Sequence, residues 1–222
     1  MERATMLAVI LAGGRSRRLG GVPKAGLMVD GATLLSRTVD AASAVTGAGA
    51  GTGATGSAAD ASIAVVGPAQ GMETWLAGCA HRPGLHILQE DPPFAGPAAG
   101  IAAGLQALGA TQGHVLVLAC DMVHAGALAQ WLEQAVAGCG PLEGVIAVDG
   151  GRWQPLAAIY PVAPLNEAIA EAREAHRLQN ASVFSLLATV KLRECAVLAG
   201  LTADIDTFND ARSHGIAVPD VK

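Results

Sequence analysis

Residues 11–24 read Leu-Ala-Gly-Gly-Arg-Ser-Arg-Arg-Leu-Gly-Gly-Val-Pro-Lys, and they follow without a break on the apolar run Met6–Ala12. A short apolar run that ends in glycines has the pattern of a buried strand entering a tight turn. Gly13, Gly14, Gly20 and Gly21 let the backbone bend sharply and approach a ligand with no Cβ in the way. Successive backbone N–H groups in such a loop form a nest for anions. Four cations, Arg15, Arg17, Arg18 and Lys24, fall within ten residues of a chain whose formal net charge is -5. Arg18 and Lys24 are therefore candidates to neutralise phosphate groups, with Arg15 expected to face solvent. The loop is neither GxxxxGK[ST] nor GxGxxG, so it is neither a P-loop nor a dinucleotide fingerprint.

Working outward, apolar strand-like runs alternate with helical patterns. Strands are expected at Met6–Ala12, Ser62–Gly67, Leu85–Gln89, His114–Cys120, Gly144–Asp149 and Leu156–Tyr160. Helices are expected at Ala32–Ala44, Pro97–Leu108, Ala125–Ala137, Pro164–Ala175 and Ser182–Leu187. Such alternation predicts a single α/β domain over residues 1–222, Rossmann-like, with a mostly parallel sheet and helices on both faces. The Gly/Ala-rich segment Gly47–Asp60 reads as a flexible loop, either a plain insertion or a lid.

Composition narrows the function. Hydrophobic residues make up 51% and aromatics 3%, so the core is built from Leu, Val, Ile and Ala. No basic tail or face is evident, which argues against a nucleic-acid partner. Cys79, Cys120, Cys139 and Cys195 form no CxxC pair and read as free thiols of a cytoplasmic protein. The N-terminal apolar run is short and precedes its basic cluster, unlike a signal peptide. The uncharged stretch 41–59 is too weakly apolar for a membrane span.

Several acids stand where a ligand would sit. Asp121 directly follows the strand-like run His114–Cys120, at the carboxyl end where an open α/β sheet has its crevice. A carboxylate there is costly unless it is paired or coordinates a cation, although capping the next helix is the plainer role. Asp204 and Asp206 lie in Asp-Ile-Asp-Thr, where on the residues alone Asp206 or Thr207 caps the last helix. Glu90-Asp91 precedes Pro-Pro-Phe-Ala-Gly-Pro-Ala-Ala-Gly, and Asp91 alone reads as a turn residue. His114 and His124 are expected to be structural.

The loop of residues 11–24 resembles the signature of the nucleotidyltransferases that activate sugars, terpenoid precursors and molybdopterin. Within them the chain is most similar to the molybdenum cofactor guanylyltransferase family. Four further blocks match in order: EDPPFAGPAAGI, VLACDMV, GGRWQPLAAIY and DIDTFNDA. The resemblance implies a Mg²⁺-dependent transfer of GMP from GTP to the phosphate of molybdopterin, with pyrophosphate released. It implies that Arg18 binds the β- and γ-phosphates, Lys24 the α-phosphate region, and Asp121 the metal, with Asp206 a second ligand. Leu11, Ala12, Gly13, Gly14, Lys24, Asp91, Gly96, Pro97 and Gly100 would bind the nucleotide. Gly14 and Gly100 would leave room for a purine. Apo-molybdoenzymes are implied as recipients of the product.

A phosphate monoester has its second pKa near ~6 and is already a nucleophile at neutral pH, so no general base is needed. The chain departs from the family pattern at Pro23, Val123 and Phe208, where Asp, Pro and Pro are usual, and at Ala98. Alternatives are a molybdopterin cytidylyltransferase, a sugar-phosphate nucleotidyltransferase, or a silent protein that binds and delivers nucleotide or cofactor.

Overall fold

The computed structural model describes residues 6–14, 16–47, 62–80 and 84–217. Arg15 and residues 48–60, on which two of the expectations above fall, lie outside the described residues. In chain order the strands are β1 (Met6–Leu11), β2 (Met28–Val29), β3 (Ala32–Thr33), β4 (Ile63–Val66), β5 (Leu85–Leu88), β6 (His114–Ala119), β7 (Glu143–Asp149), β8 (Arg152–Pro161) and β9 (Lys191–Ala196). The helices are α1 (Leu34–Thr46), α2 (Met72–Trp75), α3 (Pro97–Leu108), α4 (Ala125–Val136), α5 (Val162–Glu174), α6 (Val183–Leu186) and α7 (Phe208–Ser213).

Seven strands form one sheet in the order β5-β4-β1-β6-β8-β7-β9, and β2 and β3 form a separate small ribbon. Pairings are parallel except at β8, which runs antiparallel to both β6 and β7. The chain first extends the sheet from β1 through β4 to β5, then returns across β1 to place β6 on its other side. The β1–β6 boundary is thus a topological switch point, and the crevice beyond the carboxyl ends of these two strands is the expected ligand site.

The period of two along each strand divides the core into two apolar layers. Ala8, Ile10, Val65, Leu116 and Leu118 pack under α1 and α4. Their neighbours Leu7, Val9, Val66, Val115 and Val117 pack under α3 and α5. Both faces are covered, which is why β1, β4 and β6 read as continuous apolar runs. A third cluster joins Leu19, Leu27, Leu34, Val123, Ile205 and Ile216 at one end of the sheet.

Three differences from the sequence expectation have local causes. Helix α1 starts at Leu34 and not Ala32, because the Thr33 side chain caps it by accepting from Ser36 N. β8 is antiparallel because Gly150-Gly151, at φ 55 and 77, closes a two-residue hairpin with β7. β9 is an edge strand with mostly exposed residues, and it lacks the apolar run that marks a buried strand.

Candidate functional site

The loop after β1 is closed by its own backbone. The Ser16 carbonyl, in a residue at φ 40, accepts from Leu19 N (2.9 Å) and Gly21 N (3.0 Å). Leu19 is fully buried in the third apolar cluster and pins the loop down, leaving Arg17 and Arg18 exposed at its rim. Pro23, at φ -64, opens the single 3-10 turn Lys24–Gly26. That turn brings the Lys24 ammonium over the carboxyl end of β6.

There it meets the acids. Lys24 Nζ donates to Asp121 Oδ2 at 2.7 Å and to Asp206 Oδ1 at 2.5 Å. Arg18 NH1 donates to the other oxygen of Asp206 at 2.7 Å. Asp121 sits two residues beyond β6. Asp206 arrives from nearly ninety residues further on through a short antiparallel clip, in which Val123 N donates to Ala203 O (3.0 Å) and Ile205 N to Asp121 O (3.2 Å). Ile205 is fully buried, so in this extended segment Asp204 and Asp206 both lie on its opposite side. Thr207 caps α7 in a reciprocal box with Asp210, whose Oδ2 also accepts from Asp206 N at 3.1 Å. The cap and the site therefore use different side chains: Thr207 takes the helix, and the Asp206 carboxylate is left for the cations.

Charge in the cluster is nearly balanced. Burial works against the Lys24 charge, but Asp121 and Asp206 outweigh it and hold the ammonium above its ordinary pKa. The Lys24 hydrogen bond holds Asp206 below the usual carboxylate range. Asp204 is pushed up, first by partial desolvation and then by the neighbouring Asp121 and Asp206 charges. One acid is held ionised while its neighbour, crowded by two carboxylates, resists ionisation.

These groups stand at a cleft of about 1070 Å³ beyond the carboxyl ends of β1, β4 and β6. Leu11, Ala12, Gly13, Gly14, Arg18 and Lys24 line one part of it. Gly96, Pro97 and Gly100, from the N-terminus of α3, line another, and Asp121 and Asp206 a third. Asp91 is exposed and is not among the lining residues; its neighbour Glu90 is, with its carboxylate accepting from Phe94 N at 3.0 Å. A Cβ on Gly14 would meet open space, whereas on Gly100 it would stand 3.0 Å from Leu11 Cδ2, so Gly100 also serves the packing of α3 on β1. His114 is buried and bonded to the Glu143 carbonyl. Pro23 lines the cleft, while Val123 and Phe208 belong to the third apolar cluster.

The sequence reading passed over Asp204 as a ligand and Trp75 as a lining residue. Asp204 had a signal, since an Asp-x-Asp pair in an extended segment shows both acids on one side. Trp75 had none: it depends on Gly26 and Gly71, where a Cβ would press to 2.6 and 2.5 Å of the indole.

A magnesium ion fits this donor set. Carboxylate oxygens of Asp121, Asp204 and Asp206 lie within 4.8 Å of one another, and all are hard oxygen ligands of the kind Mg²⁺ takes alongside phosphate oxygens. Lys24 already supplies one positive charge between two of them.

Comparison with known proteins agrees with this geometry. No curated protein matches the chain significantly. Among solved structures, molybdopterin-guanine dinucleotide biosynthesis protein A from Archaeoglobus fulgidus superposes with a TM-score of 0.61 at 19% identity, covering 94% of this chain and 96% of that one. A nucleotidyl transferase from Methanothermobacter gives 0.66 at 19% identity, over 94% and 95%. The 2-C-methyl-D-erythritol 4-phosphate cytidylyltransferase of Thermus thermophilus gives 0.56 at 19% identity, over 94% and 97%. These likenesses establish the shared fold. The MobA-like NTP transferase domain matches residues 8–190, which include the glycine-rich loop, the α3 N-terminus and Asp121, and the chain belongs to this family of nucleotidyltransferases.

Proposed function

We propose that this nucleotidyltransferase transfers GMP from GTP to the phosphate of molybdopterin, giving molybdopterin guanine dinucleotide and pyrophosphate. The observation that carries the reading is the convergence of Arg18, Lys24, Asp121, Asp204 and Asp206 at one end of a cleft at the β1–β6 switch point. Two polyanions must be brought together there, and positioning and charge stabilisation are what such a transfer demands of a protein. An acceptor phosphate oxygen forms a bond to the α-phosphorus as the bond to the β-phosphate oxygen breaks. Arg18, exposed at the rim, meets the β- and γ-phosphates. Lys24 reaches the α-phosphate from its turn and at the same time fixes Asp121 and Asp206. Asp121 and Asp206, with Asp204 beside them, would hold Mg²⁺, which supplies charge neutralisation at the α-phosphate when bound. The loop N–H groups after β1 and the α3 N-terminus accept the rest of the nucleotide.

The choice of GTP rests on the Leu-Ala-Gly-Gly form of residues 11–14 and the bare backbone at Gly14. A cytosine in a slot shaped for guanine leaves buried polar groups unpaired, at about 1–3 kcal/mol each, so one or two losses give roughly ten- to thousand-fold discrimination. Seven of the nine described strands share one sheet, which supports reading the chain as one domain. Among the described residues no helix is long and apolar enough to cross a membrane, in keeping with a cytoplasmic site of action. Delivery of the product to apo-molybdoenzymes follows from the same reading. The test is competitive turnover with equal GTP and CTP, molybdopterin as acceptor and pyrophosphate as readout. Equal use, or preference for CTP, moves the protein to the cytidylyl branch; no pyrophosphate with either nucleotide overturns the acceptor.

A further inference from the structure

The pairing of β8 is interrupted where the strand passes the cleft. Against β7, Ile146 pairs with Ala158 but Ala147 pairs with Gln154, so Pro155, Leu156 and Ala157 have no residue opposite them on β7. Against β6, the last pair is Leu118 with Ala157. Beyond it, Ala119, Cys120 and Asp121 line the same cleft. Gln154, Pro155 and Leu156 all line the cleft on this side. A bulge next to a site re-aims side chains that a regular ladder would hold flat.

One side chain holds this bulge from within. Tyr160, the only tyrosine of the chain, is fully buried, and its hydroxyl donates to the Pro155 carbonyl at 2.7 Å. Burial pushes the phenol well above its ordinary pKa, so the hydroxyl stays a neutral donor throughout the working range. Pro155 has no N–H, so its carbonyl is the one backbone group through which the segment is fixed at that residue. The Gln154 side chain, by contrast, has no hydrogen-bond partner among the described residues and offers both a donor and an acceptor to the cleft.

We infer that Tyr160 is a positioning residue for the acceptor half of the site: its hydroxyl, through the Pro155 carbonyl, fixes the β8 bulge so that the Gln154 amide faces a polar heterocyclic acceptor beside Asp121. The inference rests on the proposed transfer to molybdopterin for the identity of that acceptor, and on the β8 geometry alone for the clamp. The nucleotide half, built from the β1 loop and α3, stands on the other side of Asp121 and has no part in it.

The experiment compares Tyr160→Phe, Gln154→Ala and the double variant with the wild type. Tyr160→Phe keeps the ring in the core and removes only the hydroxyl. Each single variant should raise the molybdopterin KM about tenfold while the Kd for GTP with Mg²⁺ stays within about twofold, and the double variant should be no worse than Gln154→Ala alone, since one acts through the other. Backbone amides of residues 153–158 should exchange with deuterium at least about tenfold faster in Tyr160→Phe, with little change elsewhere in the sheet. A rise in the GTP Kd equal to that in the acceptor KM, or additive losses in the double variant, overturns the positioning role. Unchanged exchange at 153–158 overturns the clamp whatever the acceptor. A wild-type protein that transfers nothing to molybdopterin overturns the functional reading and with it the role given to Gln154, while the exchange rates still decide the clamp.

Discussion

Replacing Lys24 with methionine separates the two tasks the structure gives this residue. The ammonium touches Asp121 and Asp206 at 2.7 and 2.5 Å, and the Lys24 and Asp121 side chains are 19% and 15% exposed. A charge-assisted hydrogen bond in such a place contributes about 1.5–3 kcal/mol. Asp206 is 41% exposed, so solvent screening reduces its share to about 0.5–1 kcal/mol. In metal-free buffer at neutral pH, Lys24→Met should therefore be destabilised by about 2–4 kcal/mol, because Asp121 is left partly buried without its partner. For a chain of this size that lowers the melting temperature by roughly 4–16 °C. Added Mg²⁺ should then act in opposite directions on the two properties. Without a lysine competing for the same oxygens, the variant should bind Mg²⁺ about tenfold tighter or more, so millimolar Mg²⁺ should restore more stability to the variant than it adds to the wild type. Turnover should nevertheless fall by about 10²–10³, since the proposed transfer loses a charge aimed at the reacting phosphate. Melting curves in EDTA and in Mg²⁺, read beside pyrophosphate release, make the comparison. Equal melting temperatures in EDTA, or equal stabilisation of both proteins by Mg²⁺, would refute the account of Lys24 as the internal counterion of the acid cluster.

Asp121→Asn should leave the circular dichroism spectrum unchanged and reduce turnover by about 10²–10³ at saturating Mg²⁺, and near wild-type turnover would remove Asp121 from the mechanism. Gly104→Ala should cost about 1–3 kcal/mol in denaturant unfolding, because its Cβ would press to 2.7 Å of Val9 in the layer between α3 and β1; a neutral result would mean that the helix shifts freely on the sheet. Asp210, held below its ordinary 3.8 by the hydrogen bonds from Thr207, contributes stability that is complete above that value and lost as the pH falls through its folded pKa. The melting-temperature gap between wild type and Asp210→Ala should therefore be constant near neutrality and close well below pH 3.8, and a gap that widened in acid would contradict the capping box.

Much of the frame was legible in the sequence because it depends on residues near one another. The runs 6–12, 63–66 and 115–120 are apolar at every position, as strands covered on both faces must be, and the glycines and cations of residues 13–24 mark the loop in their own order. Asp121 follows its strand directly, so its place at the crevice was readable too. The direction of β8 was also written locally, in Gly150-Gly151 between two strand-like runs with no helix separating them. What only the tertiary structure decided are the relations between distant segments. That Lys24 grips both Asp121 and Asp206 depends on a two-bond clip between residues 121–123 and 203–205, and on Leu19, Val123 and Ile205 sharing one small apolar cluster. That Glu90 and not Asp91 lines the cleft depends on how a single turn is seated against α3, and a side chain moved by one position in such a turn faces another way. The bulge of β8 depends on a hydroxyl five residues further along the strand. Local propensity and periodicity act over a few residues, while burial is shared among segments that meet only when the chain has folded, and it is burial that chose which acids meet which cations.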